Sequence, residues 1–307
     1  MKSLCGENIL ISTSSFAASD KGPLEMLKEA GCEVINNPYK RKLTKPELTE
    51  LLSNSVTGLI AGLEILDKEV LSKSKLKIIS RCGSGLSNVD IEAAKELGII
   101  VCSTPDAPVD SVAELTLAAM LSLLRAMPAM DRELHDGRWT KRTGLLLEGK
   151  TVAIIGFGRI GKKLSQLLAP FKVRLLVVDP SIKSGDVKTV TVSLEKALSE
   201  ADIISIHSSG NACLMGESEL RKIKKGAFIL NAARGGAINE DALVKALEEK
   251  RVAGAWLDVF EEEPYMGPLT KYPQVILTPH AGSYTVECRK QMEMEAVKNL
   301  IGALRKY

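Results

Sequence analysis

The sequence predicts an α/β protein of two parallel-sheet domains, the second inserted into a discontinuous first. Three observations carry this. Short β-branched runs alternate with helical patterns from one end of the chain to the other, which means parallel strands covered by helices on both faces. There are eleven such runs, more than one open sheet usually holds. The length of 307 residues suits two domains at roughly 150 residues each.

Taken in order, Asn8–Ser12, Glu33–Asn36, Gly58–Ala61 and Lys77–Ser80 read as strands of the first sheet. A second series starts near Ile99–Cys102 and continues through Thr151–Ile155, Arg174–Val178, Ile203–Ile206, Phe228–Asn231, Gly254–Leu257 and Val275–Leu277. Between strands, Thr44-Lys45-Pro46-Glu47 is a capping box with proline in the first turn, so a helix opens there. One long helix is expected over Ser111–Leu134, bridging the domains. The segment Glu287–Lys306 has apolar residues at helical spacing and is expected to return to the first domain. The expected boundaries are therefore 1–99 with 284–307 for the first domain and 100–283 for the second.

Composition narrows the function classes. Hydrophobic residues at 45% and charged residues at 26% are ordinary for a globular chain with a sizeable core. The net charge is only +3, and basic clusters such as Lys40–Lys42 and Arg221–Lys225 have acids nearby, which argues against a nucleic-acid partner. Six cysteines stand singly with no CxxC pair, a pattern of reduced thiols, so neither a disulfide framework nor a metal site is expected. No leader is read at the N-terminus, and the apolar stretch Ala113–Leu124 is too short to span a bilayer. The expectation is a cytoplasmic protein without a membrane partner.

The sharpest local signal is Gly156-Phe157-Gly158-Arg159-Ile160-Gly161. It follows the strand Thr151–Ile155, opens a helix, and is followed by a second strand that ends in Asp179, which is the full order of a dinucleotide-binding unit. Gly156 permits the tight turn, Gly158 lets the backbone approach a pyrophosphate, and Gly161 lets helix and strand pack closely. The helix N-terminus at Arg159 and Ile160 offers unpaired N–H groups to the phosphates. Asp179 would accept the ribose hydroxyls and repel a 2′-phosphate, and Pro180-Ser181-Ile182 brings no arginine, so the expected cofactor is NAD. The second domain is thus Rossmann-like.

Three histidines are available as proton carriers. His135 lies in the charged segment Arg132–Arg138. His207 ends a strand, where it either lines the cofactor cleft or is structural. His280 follows the strand Val275–Leu277 through Thr278-Pro279, and chemistry gathers at the C-terminal ends of such strands, which makes it the leading candidate.

At this point the chain resembles the D-isomer-specific 2-hydroxyacid dehydrogenases. The matching segments are Arg81–Asp90, Ser111–Glu114, Gly156–Gly161, Asn231–Gly235, Leu257–Pro264 and Thr278–His280, in family order across nearly the whole chain. The resemblance implies two Rossmann-like domains and hydride transfer between nicotinamide and C2 of a small 2-hydroxy acid. It implies Arg234 as the clamp on the substrate carboxylate and C2 oxygen, a role that suits the fixed fork of a guanidinium. It implies His280 as general acid/base and Glu263 as the carboxylate that favours the imidazolium and fixes the ring. It further implies the backbone of Gly83, Ser84 and Gly85 at the substrate carboxylate, Asp258 at the nicotinamide carboxamide, and Ala233 and Gly282 along the cofactor. Thr104 is read either as a nicotinamide neighbour or as a turn residue before Pro105. The family's usual dimer is expected as well. The chain departs from the family after His207, where Ser208-Ser209-Gly210-Asn211-Ala212-Cys213-Leu214 replaces a proline- and threonine-containing loop.

The shared motifs do not choose the acid. Arg81 resembles the arginine that binds the phosphate in 3-phosphoglycerate dehydrogenases, and Lys141 and Arg142 fall where a partner subunit lends a basic group in those enzymes. 3-Phosphoglycerate is therefore the expected substrate. A glyoxylate/hydroxypyruvate reductase is the alternative, and an NAD(H)-sensing corepressor-like binding protein is the alternative of another class.

Overall fold

The computed structural model describes residues 3–53, 55–182, 190–210 and 212–307. They form two compact units, residues 1–108 with 283–307 and residues 109–282. In the first unit run β1 (Asn8–Ile11), α1 (Gly22–Glu29), β2 (Glu33–Asn36), α2 (Lys45–Ser53), β3 (Val56–Ala61), α3 (Lys68–Ser72), β4 (Ile78–Arg81), α4 (Ile91–Glu96) and β5 (Ile100–Ser103). The second unit holds α5 (Val109–Leu124), α6 (Met127–His135), β6 (Thr151–Ile155), α7 (Arg159–Leu168), β7 (Arg174–Val178), β8 (Val190–Thr191), α8 (Leu194–Glu200), β9 (Ile203–Ile206), α9 (Glu217–Lys222), β10 (Ala227–Asn231), α10 (Glu240–Glu248), β11 (Val252–Leu257) and β12 (Val275–Leu277). The chain then returns to the first unit as α11 (Val286–Leu304).

The first unit is a five-stranded parallel sheet in the order β2-β1-β3-β4-β5. Its two faces are covered separately. Ile9, Ile11, Ile60 and Ile78 pack with Leu27 of α1 and with Met292, Ala296 and Leu300 of α11. Leu10, Leu59 and Ile79 pack with Leu48 and Leu52 of α2 and with Val70 and Leu71 of α3. The period-2 alternation of a strand sends neighbouring residues to opposite faces, so strands buried on both sides read as unbroken apolar runs.

The second unit is a seven-stranded parallel sheet in the order β12-β11-β10-β9-β6-β7-β8. All five residues of β6 are buried, with Val152 and Ile154 facing α5 and α7, and Ala153 and Ile155 facing the side of α8, α9 and α10. The strand order reverses between β6 and β9. Loops diverge at such a switch point and leave a crevice at the carboxyl ends of the strands, where doubly wound sheets bind their ligands.

Two expectations need correction. The run near Ile99–Cys102 does not open the second domain. As β5 it pairs with β4, Ile78 opposite Ile100 through Arg81 opposite Ser103, and so closes the first sheet. Both sheets are parallel and equally apolar, so local patterning could not say which one the strand joins. Nor is Ser111–Leu134 a single helix. Ala126 takes a left-handed φ of 48°, and α5 and α6 meet there at 66°. No single helix among the described residues is long and apolar enough to cross a membrane. The strand β8, two residues long, has no sequence pattern to reveal it.

Candidate active site

The phosphate-binding turn sits at the switch point. Gly156 has φ 91°, and a Cβ there would lie 2.6 Å from the Ser208 nitrogen, so the turn after β6 and the loop after β9 touch at a place only glycine fits. Gly161 is equally constrained, since its Cβ would overlap the carbonyl of Gly156. Gly158, by contrast, has open space above it. The N-terminus of α7, with Arg159 and Ile160 in its first turn, therefore opens onto room for a pyrophosphate.

Asp179 ends β7 and reaches back to the turn. Its carboxylate accepts the Phe157 N–H at 2.7 Å and the Ser181 N–H and hydroxyl at 2.9 and 2.6 Å. Partial burial works to raise its pKa, but the Ser181 and Phe157 hydrogen bonds and the Lys162 charge outweigh this and hold it below the ordinary value. The group is a fixed anion. Asp179→Ala should relax discrimination against a 2′-phosphate, read as the ratio of kcat/KM with NADH to that with NADPH. A wild-type preference for NADPH would overturn this role.

At the end of β9, His207 is pushed down to about 4 by burial, so the ring is neutral. Its Nε2 lies 2.8 Å from Ser205 Oγ. His207 Nδ1 and Ser208 Oγ are buried without a hydrogen-bond partner. Buried polar atoms ordinarily find partners, and two such atoms beside an open glycine turn are what a dinucleotide would satisfy. The residues present fit NAD. Asn211, in the departing loop, lies outside the described residues.

After β10 the chain turns through Asn231, itself fully buried. Asn231 Oδ1 accepts the Ala233 N–H at 3.1 Å and its Nδ2 donates to the Arg234 carbonyl at 2.9 Å. This Asx-type bracket shapes the segment that presents Arg234. Ala233 is buried. Arg234 Nη1 donates to the Ala233 carbonyl at 2.7 Å, and its Nε is buried without a partner. Burial lowers its pKa, yet a guanidinium stays charged. The result is a half-buried cation with donors to spare, suited to a carboxylate.

His280 follows β12 in a left-handed conformation, φ 53°. Its Nδ1 lies 2.9 Å and 3.2 Å from the two carboxylate oxygens of Glu263. An ionised carboxylate only accepts, so Nδ1 carries the hydrogen and Nε2 is the atom left for proton transfer. Glu263 is held in turn by the Phe260 N–H at 3.2 Å. The second unit thus brings Glu263 and His280 together as the sequence suggested.

Asp258 is nearly fully buried, and its oxygens accept Thr278 Oγ1, Ala281 N–H and Gly282 N–H at 2.6 to 2.8 Å. It grips the loop around His280, a role its place in the sequence did not disclose. Gly282 is buried by the same grip and by Ser111, whose hydroxyl donates to its carbonyl at 2.6 Å.

In the first unit, Arg81 ends β4 and the loop that follows carries Gly83, Ser84 and Gly85. The Gly83 N–H donates to Thr104 Oγ1 at 2.8 Å and the Thr104 N–H donates to the Gly83 carbonyl at 3.0 Å. Thr104 is fully buried. It supports this loop through that pair of hydrogen bonds. The Gly83 N–H is likewise committed within the protein, which leaves Ser84 and Gly85 as the partly accessible backbone of the loop. Arg81 is 9% exposed, its Nη1 donates to the Cys82 carbonyl, and its guanidinium lies against Gly83 where a Cβ would stand.

Residues 117–282 match the family described as D-isomer specific 2-hydroxyacid dehydrogenase, NAD binding domain. The chain belongs to this family. It is an NAD-dependent oxidoreductase acting on a CH–OH group. It is 38% identical over 302 residues to a glyoxylate reductase of Thermofilum pendens, covering 92% of this chain and 88% of the relative. It is 39% identical over 259 residues to a D-3-phosphoglycerate dehydrogenase of Methanocaldococcus jannaschii, but spans only 49% of that protein. Among solved structures, the TT0316 protein of Thermus thermophilus superposes with a TM-score of 0.89 at 32% identity, covering 97% of both chains. The glyoxylate reductase from Paecilomyes thermophila gives a TM-score of 0.87 at 28% identity, covering 100% of this chain and 97% of that one.

Proposed function

We propose that this 2-hydroxyacid dehydrogenase reduces a short, unphosphorylated 2-oxo acid, as a reductase of the glyoxylate/hydroxypyruvate type. Bound NADH supplies the hydride that arrives at C2. Arg234 holds the substrate carboxylate and polarises the C2 carbonyl, so that charge developing on oxygen meets a fixed cation. His280 gives its Nε2 proton to that oxygen, leaving neutral imidazole and a 2-hydroxy acid. Glu263 keeps the ring in the tautomer and orientation this step needs.

The observation that carries the choice of substrate is the placement of Arg81. Its guanidinium is buried in the loop it belongs to and bonded to the Cys82 carbonyl. Arg142, a second basic candidate, is bound to Glu133 at 2.5 and 3.3 Å. A distal phosphate carries close to two charges, and either arginine would have to leave its present partner to meet it. Two observations favour 3-phosphoglycerate as a second reading: Arg81 is a cation beside the Ser84–Gly85 backbone, and Lys141 is exposed.

The test compares hydroxypyruvate with phosphohydroxypyruvate for wild type and Arg81→Ala. The expected result is a wild-type kcat/KM no higher with the phosphate, and equal losses on both substrates in the variant. A selective loss on phosphohydroxypyruvate of about tenfold to hundredfold, the worth of a charge-assisted contact, would replace this reading with phosphoglycerate dehydrogenase.

The proposal includes a homodimer formed through α6 and the segment that follows it. The helix α6 buries none of its residues, and Met127, Leu134, Trp139 and Leu146 are exposed there, Trp139 at 81%. Four large apolar side chains left exposed within twenty residues support an interface there. Sedimentation of the wild type as a dimer and of a Trp139→Asp, Leu146→Asp variant as a monomer is the expected outcome; a monomeric wild type removes this part of the proposal.

A further inference from the structure

We propose that Trp256 and Thr278 are positioning residues for His280, acting through Asp258 by a hydrogen-bond relay of fixed direction. The inference rests on His280 as the proton carrier.

Trp256, on β11, is fully buried, and its Nε1 donates to Thr278 Oγ1 at 3.0 Å. An indole N–H is a donor only. The Thr278 oxygen must therefore accept from it, and the hydroxyl hydrogen is directed to Asp258 Oδ1, 2.6 Å away. Asp258 then takes the Ala281 N–H on Oδ1 and the Gly282 N–H on Oδ2, both at 2.8 Å. The bonds close on the residues either side of His280, one from before it and two from after it. Between them His280 keeps a left-handed backbone, a conformation uncommon for an L residue, which these bonds help to hold. That backbone aims Nδ1 at Glu263. The relay thus connects the buried side of β11 to the geometry of the proton donor, and no member of it besides Asp258 has been given a role above.

The test uses the full-length protein and the variants Thr278→Val, Thr278→Ser and Trp256→Phe. Valine matches threonine in shape but strands the Trp256 N–H and leaves Asp258 Oδ1 with the Ala281 N–H as its remaining partner. The expected result for Thr278→Val is a kcat lower by about tenfold to hundredfold, as displacements of about 1 Å at a reacting group produce. KM for the 2-oxo acid and the Kd for NADH, read by NADH fluorescence, should stay within about twofold. Thr278→Ser should restore kcat. Trp256→Phe should lower kcat when made in the wild type but add nothing when combined with Thr278→Val, because groups in one network are not additive.

A second readout does not depend on turnover. With three histidines in the chain, the imidazole 15N spectrum can be assigned by the signals lost in His280→Ala. Thr278→Val or Trp256→Phe should shift or broaden the His280 signals and leave those of His135 and His207 in place. Unmoved His280 signals in both variants, a serine variant as poor as valine, or parallel loss of kcat and NADH binding would overturn the relay. Loss of the acid/base reading itself would show separately, as normal turnover in His280→Ala with the His280 signals still responding to Thr278→Val. If Thr278→Val does not fold, Trp256→Phe decides by the same spectrum and the same split between kcat and Kd.

Discussion

His280→Ala should lower kcat for 2-oxo acid reduction by about 10²–10⁴, the range that a positioned general acid contributes. In free energy this is about 2.7–5.5 kcal/mol of transition-state stabilisation. NADH binding should change little, because the phosphate-binding turn at Gly156–Gly161 lies at the end of β6 and His280 follows β12, at the far edge of the same sheet. Single-turnover oxidation of NADH with hydroxypyruvate gives the rate, and a fluorescence titration gives the affinity. No other histidine can substitute. His135 is exposed on α6, and His207 is pushed down to about 4 by burial, so near pH 7 it is neutral imidazole and a poor acid. Near-normal turnover in the variant would remove His280 from the mechanism.

Gly235→Ala should be almost as damaging, although Gly235 touches neither proton nor hydride. A Cβ at this position would overlap the carbonyl of Phe260 and lie 2.5 Å from the Glu261 nitrogen. The contact joins the two stretches that carry the chemistry, since Arg234 precedes Gly235 and Glu263 is held by the Phe260 N–H. A methyl group must push them apart. The expected cost is about 1–3 kcal/mol of stability, as for other overpacked sites, and about 10² in kcat/KM from the displacement of Arg234 and Glu263. The adjacent Gly236 supplies the control. A Cβ there meets nothing within 4 Å, so Gly236→Ala should leave both thermal midpoint and kcat/KM near wild type. Equal effects of the two substitutions, measured by thermal unfolding and steady-state kinetics, would show that crowding between these stretches does not govern the site.

The site was legible in the sequence wherever the chemistry depends on one short stretch. Gly156–Gly161 could be read because tight turn, phosphate approach and helix packing are demands on consecutive residues. Asp179 could be read from the strand it ends. His280 and Glu263 were found as a pair through the family resemblance, and their 2.9 Å contact spans 17 residues that no local pattern links. Thr104 is open in sequence between a nicotinamide neighbour and a turn residue before Pro105, and its hydrogen bond to Gly83 pairs two loops that no local pattern links. Asn231, Trp256 and Thr278 were passed over as strand and motif residues. Their work lies in hydrogen bonds whose partners come from another strand or from a turn not yet formed.

By itself the sequence determined the class of fold, the positions of eleven strands and the dinucleotide turn, and it placed His280 at the end of a strand. Hydrophobic periodicity, glycine at turns and the charge of side chains are properties of residues and their near neighbours, and they survive being read in one dimension. The tertiary structure alone decided that β5 joins the first sheet, because two equally apolar parallel sheets offer it the same local environment and only the pairing with β4 distinguishes them. It alone decided the break at Ala126 between α5 and α6, which depends on a single backbone rotation. It also decided how the Arg81 side chain lies. A guanidinium on a long flexible stem has many places to lie, and only the fold sets its Nη1 beside the Cys82 carbonyl and Gly83.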